Sequence, residues 1–401
     1  MAKVKITGHA SGSGVITVTA PNTSTDRTIT LPDSTDTLIG TATTDALTTR
    51  VNGAGGRKNM IINGAMNVAQ KGTSYTGFTN SSGNTVKTVD RWKLVEGGAP
   101  SGVFTITQDT DAPVGFASSL KWDCTTAQAS MAANDQFYVE QRIEAQDLQH
   151  LSYGTSSALQ TTLSFWVKSN KTGTYVAYFH QNDDVRHVQS QYTIDTADTW
   201  EKKTCVVPAD TTGVIDNNNG PGFMIRFTLA AGTDFTSGTA STAWEADAIA
   251  NRFVGQTVNI ADSTANYINF TGVQFETGAV ATDFEHRSYG EELALCQRYY
   301  QILDGAGGSY VGYGSGAYQS TTVCRGSLPV FVSFRAEPTF TFTGSFRILG
   351  NSARSISSIV GSFWAGGVGF SATTGSSTQG YAGYLSANGD ANTKIEMDAE
   401  L

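Results

Sequence analysis

Histidine, aspartate and arginine side chains cluster in the stretch HQNDDVRH, residues 180–187. These side-chain types can hold a metal ion or move protons. The spacing matches no metal-ligand pattern, and polar residues between two apolar runs are typical of a turn between strands. We therefore interpret the stretch as a solvated hairpin.

Paired carboxylates would indicate glycoside hydrolysis, which needs two acids about 5 to 9.5 Å apart. The candidates for such a pair are Asp183, Asp184, Glu140 and Glu144. The sequence contains no G-x-S-x-G nucleophile elbow and no fixed internal repeat of the kind that builds a solenoid. We expect a protein that is not an enzyme, and keep a polysaccharide hydrolase as the alternative.

Oxygen ligands are concentrated in DNNNG, residues 216–220, but the stretch lacks the 12-residue loop of an EF-hand. We interpret it as a turn and expect no cofactor, with a structural Ca²⁺ as the alternative. The four cysteines contain no CxxC pair, so we expect reduced thiols that pack in the core: Cys124, Cys205, Cys296 and Cys324.

Aromatic rings in a glycine-rich, weakly charged region are the candidate binding groups. Such rings lose little entropy when a ligand orders them. The predicted receptor contacts are Tyr310, Tyr313, Tyr318, Trp364, Tyr381 and Tyr384, with core or intersubunit packing as the alternative. Five earlier tryptophans lie in strand-like segments and are interpreted as core residues: Trp92, Trp122, Trp166, Trp200 and Trp244.

Composition predicts an all-β chain. Only 15% of the 401 residues are charged, and 43 are glycine, which suits strands and tight turns. The net charge of −9 argues against nucleic acid as a partner, because phosphate binding requires clustered Lys and Arg. No export signal or apolar run long enough for a membrane span is visible, so we expect no membrane insertion.

The strand patterns divide the chain into four parts. Residues 1–58 form short strand-like pieces that cannot bury enough surface to fold alone. Residues 59–287 predict a jelly-roll-like β-sandwich, and 302–401 predict a smaller β-domain. The clearest strands are expected at residues 91–96, 103–108, 137–143, 163–169, 175–180, 200–207, 223–229 and 267–276.

A short helix is predicted between the two β-domains, over residues 288–301. Ser288 and Glu291 form a capping-box pattern at its start. Apolar residues follow on two stripes, which is more apolar surface than one sheet can cover. We therefore predict that four of these residues pack near a symmetry axis: Leu293, Cys296, Tyr299 and Tyr300.

Several contiguous phrases resemble tail fibres or receptor-binding structural proteins of tailed bacteriophages. They are NMIINGAMNVAQKGTSY, DRW, LSFWVKSNKTGTY, WEKKTCVVPADTTG, TGVQFETGAVATDFEHRSYGEELALCQRYYQ, LPVFVSFRAEPTF and the terminal DAEL. The N-terminal GVITVTAPNTSTDRTITLPDSTDTLIGT looks like a virion-attachment end. The resemblance covers most of the chain from about residue 14.

This resemblance implies a homotrimeric fibre made in the host cytoplasm and assembled into the virion. Residues 1–58 would attach to a tail or adaptor protein, and 59–287 would form a carbohydrate-binding-module-like sandwich. Residues 302–401 would be the tip that adsorbs to host surface polysaccharide. A tailspike-like depolymerase, or a head or collar fibre of the same architecture, remains the alternative.

Overall fold

The structure is a computed structural model that describes residues 57–79, 85–305, 307–350, 352–364 and 367–401, with the backbone alone at Trp364. Nearly all of the segment predicted to attach to the virion, residues 1–58, lies outside these ranges. The regular secondary structure of the described residues is mostly β, with 45% strand and 8% helix, which confirms the all-β prediction. The predicted threefold association and the four-part division of the chain remain predictions.

Two six-stranded sheets form a sandwich from the first twelve strands. In chain order these are β1 (Ser74–Phe78), β2 (Lys93–Gly97), β3 (Val103–Asp109), β4 (Ser119–Thr126), β5 (Gln136–Glu144), β6 (Thr161–Ser169), β7 (Gly173–Gln181), β8 (Arg186–Ile194), β9 (Glu201–Val207), β10 (Pro221–Ala231), β11 (Glu245–Ala246) and β12 (Tyr267–Thr277). Sheet A has the order β1-β3-β4-β12-β6-β9, and sheet B has the order β11-β8-β7-β10-β5-β2. Every pairing in both sheets is antiparallel.

Aromatic side chains from both sheets meet in the core of the sandwich. Phe165 of sheet A lies 4.8 Å, centroid to centroid, from Phe227 of sheet B in an edge-on arrangement. Alternation along each strand sends these rings inward and leaves the next residue on the outer face. Trp92, Trp122 and Trp244 are buried as predicted, whereas Trp166 and Trp200 are only half-buried.

All eight segments singled out as strands are strands, with ends that differ by at most a few residues. The hairpin interpretation of residues 180–187 was wrong at both ends. His180 and His187 lie opposite each other in β7 and β8, and both are buried. Only the residues between those two strands form the turn. The outer face of sheet B is itself buried here and carries polar side chains. The alternation of apolar and polar residues therefore did not show that the two strands continue to His180 and from His187.

Helix is scarce in the described residues. The α-helices are α1 (Thr233–Thr236) and α2 (Tyr289–Gln297), and 3-10 helices span Ala145–Leu151, Ile249–Asn251 and Ile260–Asp262. The capping box is present: the Ser288 side chain accepts from the Glu291 backbone N–H, and the Glu291 side chain accepts from the Ser288 backbone. The predicted helix was too long, because Tyr300 already belongs to the next strand.

The C-terminal strands form a small sheet and a closed barrel. They are β13 (Tyr300–Asp304), β14 (Gly312–Tyr318), β15 (Val323–Leu328), β16 (Thr339–Thr343), β17 (Phe346–Leu349), β18 (Ala353–Trp364), β19 (Gly367–Thr374), β20 (Ala382–Ala387) and β21 (Lys394–Asp398). The sheet, sheet C, has the order β13-β21-β16, and the barrel order is β14-β15-β19-β18-β17-β20, closed by pairing of β20 with β14. Their shared core includes Leu385, Ile348 and Ile395.

Arg91 joins the sandwich to the C-terminal strands. Its side chain is almost fully buried and forms an ion pair with Glu400. The guanidinium carbon lies 3.4 Å from the ring centroid of Tyr299, and one nitrogen donates to the Arg142 carbonyl at 2.6 Å. One polar junction therefore contains the DRW phrase, the residues just after α2 and the terminal DAEL.

All four cysteines are free and buried, as predicted. Among the described helices, none is long and apolar enough to cross a membrane.

Substituting a core leucine should destabilise the sandwich, whereas a nearby surface valine should be tolerated. Leu163 is fully buried in β6, and Val206 on the adjacent β9 is 44% exposed. We expect Leu163→Ala to lower the free energy of unfolding by about 2–5 kcal/mol, because it removes packed methyl groups and leaves a cavity. Val206→Ala should change it by less than about 0.5 kcal/mol. Denaturant unfolding followed by tryptophan fluorescence measures both; equal effects would contradict the assignment of the core.

Candidate functional site

The carboxylates considered for glycoside hydrolysis are occupied by other groups. Glu140 is fully buried between two arginines, and accepts at 2.7 Å from Arg142 and at 2.9 Å from Arg226. Burial by itself would raise the pKa of Glu140, but these two guanidinium groups outweigh it and lower the pKa. Glu144 accepts two hydrogen bonds of 2.8 Å from Arg298. An ionised, paired carboxylate of this kind is unsuited to act as a general acid.

The two aspartates of the hairpin turn hold a neighbouring loop. Asp183 accepts from the Asp216 backbone N–H at 2.9 Å, and Asp184 accepts from the Val214 backbone N–H at 2.7 Å. In the DNNNG stretch, Asn218 accepts from the Gly220 backbone N–H at 2.7 Å, as expected for a turn. Within the ranges that the structure describes, no group of three or more His, Cys, Asp or Glu side chains could hold a metal ion.

A Ser–His–Asp arrangement occurs on the outer face of sheet B. His187 Nε2 lies 2.7 Å from Ser241 Oγ, and His187 Nδ1 lies 3.0 Å from Asp247 Oδ1. Burial disfavours the charged form of Asp247, but hydrogen bonds from His187, Arg252 and Tyr178 hold its pKa well below the usual value. These distances match those of an activated nucleophile and its base.

The environment of Ser241 nevertheless makes this arrangement structural. The Ser241 residue is only 4% exposed, and His187 is fully buried. The Ser241 hydroxyl donates to Glu245 Oε1 at 2.5 Å, so its proton is directed away from His187. Since the hydroxyl is bound on both sides and shielded from solvent, an acyl group cannot reach it. The network ties β8 to the segment around β11.

The six predicted receptor contacts separate into exposed and buried residues. Tyr313 and Tyr318 point into the core of the barrel, where the Tyr313 hydroxyl donates to the Thr393 carbonyl at 2.5 Å. Tyr310, Tyr381 and Tyr384 are 63%, 44% and 44% exposed. Trp364 is the last residue of β18, opposite Gly367, and its side chain lies outside the described part of the chain.

Two of the exposed tyrosines share one patch on the barrel, which we call the tyrosine–arginine patch and define as Tyr310, Gly312, Arg347, Tyr384 and Ser386. The guanidinium carbon of Arg347 lies 4.5 Å from the Tyr310 ring centroid. Arg347 Nε donates to Ser386 Oγ at 3.2 Å. Tyr384 leans over Gly312, where an added Cβ would lie 1.6 Å from the tyrosine hydroxyl.

The barrel strands position this patch. Ser386 of β20 lies opposite Arg347 of β17 on one side and Gly312 of β14 on the other. Tyr384 is two residues from Ser386, so both side chains lie on the outer face while Leu385 fills the core. The loop that carries Tyr310 is held against the end of β20 by backbone hydrogen bonds, from Ala387 N–H to Val311 and from Gly389 N–H to Ser309.

The patch has the chemistry of a shallow site for a polar ring. Tyr384 and Tyr310 offer apolar faces with hydroxyl groups at their ends, so they can pack against the C–H face of a sugar and donate hydrogen bonds. The Arg347 guanidinium adds N–H donors suited to hydroxyl or carboxylate oxygens. The patch itself contains no carboxylate, imidazole or thiol, so it is equipped for binding rather than for bond cleavage.

Tyr381 lies just before β20, at the opposite end of that strand from Tyr310. The structure therefore does not bring it into the tyrosine–arginine patch.

The helix residues predicted to pack at a symmetry axis are largely used within one chain. Cys296, Tyr299 and Tyr300 are each 1% exposed, and Leu293 is half-buried. Tyr300 donates to Glu396 at 2.6 Å, and Tyr299 packs beneath Arg91. Most of this apolar surface is covered by the sandwich and sheet C, so it is not free for another copy.

Sequence reasoning missed three members of the patch, Gly312, Arg347 and Ser386. The phrase FTFTGSFRIL shows Arg347 on a strand with apolar neighbours, which is a pattern that places the arginine outward. No sequence signal identifies Ser386 or Gly312 as its neighbours, because both come from strands that are paired only in the closed barrel.

No protein-family model matches the sequence, and no curated protein matches it. Among solved structures, the enzymatically active domain of tailspike protein 4 of bacteriophage CBA120 is similar at 13% identity and a TM-score of 0.28 over 55% of this chain; the match spans 21% of that chain. A sugar-binding protein from Bacteroides thetaiotaomicron is similar at 16% identity and a TM-score of 0.31, over 55% of this chain and 100% of that chain.

A family 11 carbohydrate-binding module from Clostridium thermocellum is similar at 11% identity and a TM-score of 0.25, over 51% of this chain and 95% of that one. TM-scores of this size do not assign a function to the chain. The candidate site is therefore defined by its own geometry.

Placing a methyl group at Gly312 should disturb the patch without removing either tyrosine. An added Cβ would overlap the far end of the Tyr384 side chain, which can move outward. We expect Gly312→Ala to weaken ligand binding by the patch about tenfold, with little change in melting temperature. Gly375→Ala is the matched control, because a Cβ there meets nothing within 4 Å and the backbone φ is ordinary. Isothermal titration calorimetry with host surface glycan measures the affinity; equal affinities of the two variants would remove Tyr384 from the site.

Proposed function

We propose that the protein is a tail fibre of a tailed bacteriophage that binds host surface glycan through the tyrosine–arginine patch. The observation that carries the binding role is the pair of exposed rings, Tyr384 over Gly312 and Tyr310 against Arg347. Large, rigid aromatic groups with polar ends are efficient contact residues. The fibre role rests on the resemblance of the sequence to phage tail fibres.

Binding without hydrolysis is the reading we favour. The four acids that could have formed a hydrolytic pair hold arginines or backbone N–H groups. The Ser241 network is closed to substrate. A fibre that binds a polysaccharide reversibly needs neither arrangement to be reactive.

A homotrimer on the virion, attached to a tail or adaptor protein by residues 1–58, completes the proposal. Several large apolar side chains stay exposed in a single chain, and neighbouring copies would cover them. They include Tyr289, Val330, Phe331, Val360 and Phe363. Three copies would also present three patches, and multivalency could then raise a weak contact by about 10² to 10⁴ in avidity.

Removing both rings should abolish most adsorption. We expect particles carrying Tyr310→Ala and Tyr384→Ala to adsorb to their host cells at least about tenfold more slowly, because each buried aromatic contact at a binding site is worth about 2 kcal/mol. Tyr381→Ala is the matched control, since Tyr381 is 44% exposed, as Tyr384 is, but lies outside the patch.

These point substitutions are preferable to deletion of residues 302–401. Deletion would remove Glu400 and leave the Arg91 charge buried without its partner. Normal adsorption by particles with the double substitution, at wild-type fibre content, would refute the role of the patch.

The trimer is tested by mass. We expect light scattering of the purified chain to give a mass about three times that of the 42.5 kDa monomer. The wild-type chain and the Phe331→Ala variant should be compared, because Phe331 is 60% exposed and its loss should weaken association without disturbing the barrel core. A compact monomer across the accessible concentration range would contradict the fibre proposal.

A further inference from the structure

A cleft of ≈ 450 Å³ is lined by residues of both sheet B and sheet C. Sheet B contributes Lys93 and Arg142 from its edge strand β2 and the adjacent β5. Sheet C contributes Thr339 and Thr341 from its edge strand β16. The volume falls in the range of about 300–1,000 Å³ that is typical of small-molecule sites. The lining is mixed, and its polar part combines cations and hydroxyl groups with the carboxylates of Asp398 and Glu400.

Lys93 is a cation of this cleft that lacks a counter-ion. It is half-buried, and no carboxylate of the described residues lies within 4 Å of its amine. The side-chain carboxylates that line the cleft already have partners. Glu400 pairs with Arg91, and Asp398 pairs with Lys71 at 2.5 Å.

The nearest carboxylate on the neighbouring strand, Glu140, is already shared by two arginines. Glu140 lies opposite Lys93 across the strand pair, but it accepts hydrogen bonds from both Arg142 and Arg226. Burial and the charge of Arg142 lower the pKa of Lys93, and they outweigh the opposite influence of Glu140 and Glu400. An anion in the cleft would supply the missing counter-charge, and a charge-assisted hydrogen bond is about twice as strong as a neutral one.

The side of the cleft formed by sheet C indicates which kind of ligand would carry that negative charge. The Thr339 and Thr341 hydroxyls can both donate and accept hydrogen bonds, so they suit the hydroxyl groups of a sugar ring. The two threonines alternate with Phe340 on β16, which places them on one face of that strand. A ligand with one carboxylate and several hydroxyls would use both walls.

We propose that this cleft binds a carboxylate-bearing sugar residue, with Lys93 and Arg142 as its counter-charges and the β16 threonines as partners of its hydroxyl groups. This inference rests on the proposed glycan-binding function and names an acidic glycan as the substrate class. The tyrosine–arginine patch would then contact the polysaccharide through ring faces, and the cleft would select for negative charge. It also explains how a chain with a net charge of −9 can recognise a polyanion.

Saturation-transfer NMR on the full chain tests the cleft with D-glucuronate and D-glucose, which differ in the carboxylate. We expect transfer to glucuronate, and a weakening of at least about tenfold in Lys93→Met, because the counter-charge is lost. Lys202→Met is the matched control: Lys202 is exposed on the edge strand β9 of sheet A and should leave glucuronate binding unchanged.

Glucuronate binding that survives Lys93→Met, or equal weakening in both variants, would overturn the proposal.

Inorganic phosphate distinguishes an acidic sugar from a simple anion. Glucuronate that stays bound in equimolar phosphate supports the sugar assignment, and complete displacement by phosphate refutes it. Loss of adsorption in the Tyr310 and Tyr384 double variant, with no effect of Lys93→Met, would uphold the proposed function and reject the cleft alone.

Discussion

The buried guanidinium of Arg91 is the interaction on which the rest of the arrangement depends. It lies against Tyr299, pairs with Glu400 and donates to the Arg142 carbonyl. A charge removed from water is tolerated only when its partners are all in place, so each of these contacts requires the others. The contacts of Arg91 therefore join the sandwich to the residues that follow α2 and to those that follow β21.

This junction also engages the carboxylates around it. The carboxylates next to it, Glu140, Glu144 and Glu400, each form an ion pair with an arginine. Lys93, two residues after Arg91, forms no ion pair with another residue of the described ranges. Several polar side chains on the sandwich thus hold its parts together, while the binding sites that we propose lie in the cleft and on the barrel surface.

The strands were largely predictable, because alternation of apolar residues reports which face of a strand is buried. This alternation failed to show the start of β8, where His187 and Gln189 are polar yet buried on the outer face of sheet B. The candidate site was predicted only in part. The prediction included Tyr310 and Tyr384, which are exposed, but also Tyr313 and Tyr318, which lie inside the barrel. A tyrosine in a glycine-rich segment therefore does not show whether its side chain points to solvent or to the core.

The sequence by itself determined the all-β class, most strands of the sandwich, the capped start of α2 and the burial of the four unpaired cysteines, because these depend on local periodicity and residue chemistry. The tertiary structure alone decided which tyrosines face solvent and which side chains surround them. Gly312, Arg347 and Ser386 come from three strands, and only closure of the barrel places them side by side. Long-range strand pairing, which leaves no local pattern in the chain, is the physical reason.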